Sequence, residues 1–225
     1  QDPLLKREML YQLSYQVIFW RCKYRRILMI IQRLNSAKFA RLNSWKMQND
    51  FTNQKTIILI GYMGSGKSTV GAALAKQLQM PFEDLDNQIT STYKSSITEL
   101  YQKKGAKGFR EIEHQMLLKT LGNPTRKILS LGGGTPCYHG NMDCVNAATP
   151  HVFYLEATAV SLAARLFPHR ENRPLISHTK TQSELKEFVA KHLFERQHFY
   201  RQANHRISVD NTSVQEVVNA ITSLY

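Results

Sequence analysis

The chain is short of acids, short of cysteines and without a long apolar run, and each shortage closes off a class of protein. Seventeen Asp and Glu face 30 Lys and Arg in 225 residues, a formal net charge of +13. The three cysteines, Cys22, Cys137 and Cys144, are an odd number with neither CxxC nor Cys/His spacing. A disulfide frame and a zinc site are therefore disfavoured, and a reducing, cytoplasmic compartment is expected. Cys137 and Cys144 fall in or just after a glycine-rich loop with no base beside them, which makes them small filler residues rather than catalytic thiols. The apolar stretches near the N-terminus are interrupted by Arg21, Lys23, Arg25 and Arg26, well short of the roughly 20 residues that a membrane span needs. Neither an internal repeat nor a low-complexity tract is present, and 42% hydrophobic with 21% charged residues is the composition of an ordinary globular domain.

The shortage of acids is concentrated. Residues 1–46 hold ten Lys and Arg against two Asp and Glu; residues 47–225 hold twenty against fifteen, a net +5. A site for polyphosphate and an anionic substrate would itself require such an excess, so the charge does not argue for nucleic acid. In the basic segment Leu10, Leu13, Val17, Trp20, Tyr24, Ile27, Ile31 and Leu34 recur three and four apart, the stripe of one amphipathic helix. Nearly all flanking positions are basic, which weakens a self-associating coiled coil. A surface-bound helix, an organelle-targeting segment and sequence upstream of a start at Met47 stay open. The expected division is an extension over residues 1–46 and one monomeric catalytic domain over 47–225, with neither nucleic acid nor membrane as partner.

From Thr56 onward short β-like runs alternate with helical patterns, which predicts βαβ units and a parallel sheet. The expected strands are Thr56–Ile60, Pro81–Asp84, Lys127–Leu131, His151–Leu155 and Arg206–Val209. Ser96 with Glu99 and Thr181 with Glu184 have the spacing of capping boxes.

Directly after the first strand, Gly61-Tyr62-Met63-Gly64-Ser65-Gly66-Lys67-Ser68 matches GxxxxGK[ST]. Val70, Leu74 and Leu78 then fall four apart, so a helix opens at the loop, as a phosphate cradle requires. Gly64, Ser65 and Gly66 let successive backbone N–H groups point inward, and the helix start adds partial positive charge. In that geometry Lys67 neutralises the β and γ phosphates of ATP, Ser68 is a Mg²⁺ ligand, and Thr69 adds an α-phosphate contact.

Three further segments bear on the acceptor. Phe82-Glu83-Asp84-Leu85-Asp86 ends the second strand, where ligands of open α/β sheets bind; Asp84 and Asp86 alternate on an extended chain and share one side. Gly108-Phe109-Arg110-Glu111-Ile112-Glu113 heads a helix with Arg110 off its apolar stripe, and a guanidinium suits bidentate grip of a carboxylate. The competing reading is a surface arginine capped by Glu113. Gly132, Gly133 and Gly134 follow the third strand and permit close backbone approach to a ligand.

In this order and at these separations the GxxGxGKS, FxDxD, GFREIE and LGGG segments resemble the shikimate kinase family over residues 56 to about 222. Arg170-Glu171-Asn172-Arg173-Pro174-Leu175 is similar to that family's lid, and Glu195-Arg196-Gln197-His198-Phe199-Tyr200 to its ERxxxY segment. The resemblance implies a P-loop NTPase-type three-layer α/β/α fold with a five-stranded parallel sheet and a mobile lid over about residues 167–177. It implies transfer of phosphate from ATP to the 3-hydroxyl of shikimate, toward chorismate and the aromatic amino acids. By motif, Asp86 holds the ring hydroxyls of the substrate and is the candidate base, and Asp84, beside it in the substrate pocket, helps hold Mg²⁺ in place of the missing Walker B aspartate. Arg110 and Arg196 clamp the substrate carboxylate, and Gly132, Gly133 and Gly134 contact its ring. Arg173 is brought by the lid to the transferring phosphoryl. Adenine is expected near Asp210–Ser213, with Arg165 as a stacking partner. A gluconate kinase is the nearest rival among enzymes.

Overall fold

A computed structural model describes residues 56–123, 125–173 and 175–225. The expected helix in residues 1–46, the linker that follows it and Pro174 of the lid lie outside the described residues. Among the described residues five strands form: β1 (Ile57–Ile60), β2 (Phe82–Asp84), β3 (Ile128–Ser130), β4 (Val152–Glu156) and β5 (His205–Ser208). Each lies within one residue of its expected ends. β1 is Ile-Ile-Leu-Ile, every residue fully buried, as expected for a central parallel strand covered on both faces.

The sheet order is β2-β3-β1-β4-β5 and every pairing is parallel. Among the described residues seven α-helices connect and follow the strands: α1 (Lys67–Leu78), α2 (Leu85–Tyr93), α3 (Ile97–Leu121), α4 (Asn141–Ala148), α5 (Ala159–Leu166), α6 (Gln182–Tyr200) and α7 (Val214–Leu224). The β1-α1-β2 crossover runs toward one edge of the sheet, and the later crossovers run toward the other. Right-handed connections therefore place α1 on one face and α2 to α6 on the opposite face, while α7 returns to pack on α1. This gives the expected three layers. It also opens a crevice beyond the C-terminal ends of the adjacent strands β1 and β3, where the connections diverge.

Local chemistry sets the helix ends. Ser96 and Glu99 make the full capping box, and so do Ser213 and Glu216 at the head of α7. At α6 Thr181 accepts from the Glu184 N–H, and the Glu184 carboxylate receives the N–H of Lys180. Gly105, with φ 67° and ψ 176°, breaks α3 into two helical parts, and GFREIE stands at the head of the second, as expected. Cys144 is buried in the core of α4. Among the described residues no helix is long and apolar enough to cross a membrane.

Candidate active site

The phosphate loop leaves β1 and turns into α1 through Gly66, whose φ of 92° suits glycine. No side chain caps this helix start, so its first N–H groups face the crevice as anion donors. The Lys67 side chain is almost fully buried. Its ammonium donates to the carbonyls of Gly61 at 2.9 Å and Tyr62 at 3.0 Å, folded back onto the start of its own loop. Burial pulls its pKa down to about 8, with Arg173 adding to that pull and Asp86 and Asp84 opposing it. The Ser65 hydroxyl is buried without a hydrogen-bond partner.

Asp84 is the last residue of β2 and the N-cap of α2. Its Oδ1 accepts the N–H groups of Asp86 at 3.0 Å and Asn87 at 3.4 Å, and its Oδ2 accepts the Ser68 hydroxyl at 3.2 Å. Asp86 therefore sits in the first turn of a helix, not on extended chain as expected; the two carboxylates reach one crevice because the cap turns the backbone toward it. Burial raises the Asp86 pKa to about 6, reinforced by Asp84 and Glu113 and opposed by Lys67 and Arg110.

The glycine loop after β3 joins these parts. A Cβ at Gly132 would lie 2.8 Å from Asp86 Oδ1, one at Gly133 would lie 3.2 Å from the Met63 nitrogen, and one at Gly134 would lie 2.6 Å from the Arg110 guanidinium. Each glycine thus admits a different component of the site. The hydroxyl of Tyr200, fully buried on α6, donates to the Gly133 carbonyl and holds the loop in place.

Arg110 is paired with buried Glu113 and lies 4.5 Å from the centre of the Tyr138 ring. The pairing that suggested an inert surface residue is thus present, yet the arginine is only 14% exposed. Its Nε is buried with no partner, a donor in want of an acceptor. Arg196 stacks 5.4 Å from the centre of the Tyr62 ring in the phosphate loop. Arg196 and Arg110 both act electrostatically on the half-buried Cys137 thiol, whose pKa burial pushes up to about 11. That thiol is protonated at neutral pH, as a filler residue should be.

One cavity of about 540 Å³ runs along the phosphate loop past Asp84, Asp86 and Gly132 to Arg173, and on to Arg165, Val209 and Thr212. Arg173 follows a 3₁₀ turn, Phe167–Asn172, and Ile176 anchors the next turn in the core. At the far wall Arg165 donates to the Val209 carbonyl at 2.6 Å. Thr212 lines the cavity there, while Asp210 accepts the Thr158 N–H at 2.9 Å and braces α5. Sequence reasoning missed Thr135, Asn141 and His114, and took Glu113 only for a cap on Arg110. These form a buried chain behind Arg110 that is visible only once residues distant in sequence are brought together.

A family model described as shikimate kinase matches residues 63–225. The shikimate kinase of Flavobacterium johnsoniae is 41% identical over 168 residues, 75% of this chain and 97% of that protein. That of Bacteroides fragilis is 38% identical over 169 residues, covering 72% and 93%. Among solved structures, shikimate kinase from Bacteroides thetaiotaomicron superposes with a TM-score of 0.69 at 34% identity, over 75% of this chain and 97% of that one. The enzyme from Acinetobacter baumannii, solved in complex with shikimate, gives 0.68 at 27% identity, over 78% and 94%. With its phosphate loop, carboxylate pair and glycine loop meeting in one crevice, the chain belongs to the shikimate kinase family.

Proposed function

We propose that this protein transfers the γ-phosphoryl group of ATP to the 3-hydroxyl of shikimate, giving shikimate 3-phosphate and ADP on the route to the aromatic amino acids. The observation that carries this reading is the position of Asp86. It lies against the glycine loop and within the electrostatic reach of both Lys67 and Arg110, between a triphosphate grip and a carboxylate grip. In the reaction Asp86 accepts the proton of the substrate hydroxyl, the hydroxyl oxygen forms a bond to the γ-phosphorus, and the bond to the ADP oxygen breaks. Gly64, Ser65, Gly66 and Thr69 cradle the phosphates with Lys67. Arg173 compensates charge on the transferring group, a task that asks for placement more than covalent chemistry. Arg110 and Arg196 hold the substrate carboxylate, and Gly132, Gly133 and Gly134 let its ring approach the backbone.

The Ser68 hydroxyl and the Asp84 carboxylate, 3.2 Å apart, fit Mg²⁺. It keeps several waters and takes one or two protein oxygens plus phosphate oxygens rather than an all-protein cage. This suits a site where no cluster of three or more His, Cys, Asp or Glu occurs among the described residues. Bound there, the ion would neutralise charge shared by the β and γ phosphates.

The test is ADP release by the purified chain with ATP and MgCl₂, comparing shikimate with gluconate. Turnover with shikimate alone is expected. Turnover confined to gluconate would overturn the assignment.

A further inference from the structure

Behind Arg110 lies a run of buried polar side chains that touches neither the cavity nor the phosphate loop. Glu113 presents one oxygen to Arg110 and the other, Oε1, to the hydroxyl of Thr135 at 2.8 Å. The backbone carbonyl of Thr135 accepts the Asn141 amide at 2.7 Å, and Asn141 Oδ1 lies 2.7 Å from His114 Nδ1. Because the Asn141 nitrogen is committed to Thr135, its oxygen faces His114, and His114 Nδ1 must be the donor. Glu113, Thr135, Asn141 and His114 are each at most 7% exposed.

Such a chain costs more to bury than an apolar cluster of the same volume, so its worth lies in what it orients. We infer that Thr135, Asn141 and His114 are positioning residues for the substrate-carboxylate clamp: they fix the Glu113 carboxylate, which in turn fixes the Arg110 guanidinium. The geometry makes the need specific. Glu113 Oε1 stands 3.1 Å from where a Gly132 Cβ would be, and Asp86 Oδ1 stands 2.8 Å from the same point, so two carboxylates flank one glycine. Freed from Thr135, Glu113 is no longer held against the repulsion of Asp86, and it can turn away and take Arg110 with it. The Thr135 hydroxyl keeps Glu113 turned to its arginine, and Asn141 pins the 3₁₀ turn that carries Thr135. His114 holds Asn141 from the other end, through a contact made across 27 residues of sequence.

This inference rests on the carboxylate-binding role proposed for Arg110, and the experiment separates the two. Thr135→Val deletes the hydroxyl at nearly constant volume. It should raise the KM for shikimate about tenfold, the size expected when a hydrogen bond to a charged group is lost, with little change in the KM for ATP. Thr135→Ser should restore the wild-type KM. Asn141→Ala should move the same constant in the same direction. Thr149→Val is the structural control: its hydroxyl is equally buried and donates to the Thr56 carbonyl at 2.8 Å, behind the opposite ends of the strands. It should lower the melting temperature and leave KM alone. In an Arg110→Ala background, itself raised in KM, Thr135→Val should add nothing. If Arg110→Ala leaves KM unchanged, the clamp reading fails. If Arg110→Ala raises KM while Thr135→Val does not, or if Thr135→Val is fully additive with it, the clamp stands and the positioning chain is refuted.

Discussion

The Ser68 hydroxyl donates to Asp84 Oδ2 across 3.2 Å, tying the first turn of α1 to the end of β2. A residue of the phosphate loop and a residue of the acceptor segment thus meet in one oxygen pair, although 16 positions separate them. Asp84→Ala should accordingly raise the Mg²⁺ concentration for half-maximal rate about 10- to 100-fold. Because Asp84 also caps α2, the same change should cost about 1 kcal/mol of stability. Titrating MgCl₂ in the turnover assay, with thermal melts alongside, separates the two effects. An unchanged metal requirement would remove Asp84 from the site.

Acid should switch the enzyme off at an unusually high pH. The base must be ionised to accept a proton, and burial with two neighbouring carboxylates holds Asp86 at about 6. Lowering the pH through that value fills the group with a proton, so kcat/KM for shikimate should fall about tenfold per unit below pH 6 and level off above it. An acidic limb centred near the ordinary aspartate value of about 4 would mean that another group sets the profile.

Gly134→Ala is expected to damage binding more than folding. The added methyl would stand 2.6 Å from the Arg110 guanidinium, the movable end of a long side chain. Arg110 can retreat at small cost to the fold, but only by leaving its place. The KM for shikimate should rise about tenfold while the melting temperature stays close to wild type. A large loss of stability with an unaltered KM would contradict the expectation.

Arg173 acts on Lys67 across the cavity. Its replacement by alanine should lower kcat about 10²- to 10³-fold, the usual loss on removing one preorganised donor. ATP affinity should be nearly intact, since Lys67 and the loop amides remain. Equilibrium binding of a non-hydrolysable ATP analogue checks the second half; a matching loss of affinity would assign Arg173 to ground-state grip.

What could be read from the chain alone was whatever depends on near neighbours. Ile57 to Ile60 declare a buried strand by composition, the loop declares its phosphate by glycine spacing, and Ser96 with Glu99 declares a helix start. Strand order and register could not be read, because they follow from pairings such as Ile58 with Val152, set by the whole fold rather than by either segment. Asp86 was assigned to the right crevice for the wrong reason: an Asp84 cap turns the chain into a helix sooner than the apolar pattern suggests. Glu113 was judged a competitor of Arg110's function because an (i, i+3) ion pair looks the same on any exposed helix. Only its burial and its second partner, Thr135, distinguish the two cases.

Tyr200 reaches the Gly133 carbonyl from the last turn of α6, and this has a consequence for synthesis. The nucleotide grip belongs to the first helix after β1, whereas the brace on the acceptor loop arrives near the end of the polypeptide. A nascent chain that has emerged only as far as residue 181 would hold the acceptor loop without its brace and α1 without α7, so the pocket takes its final shape only when the end of the polypeptide arrives.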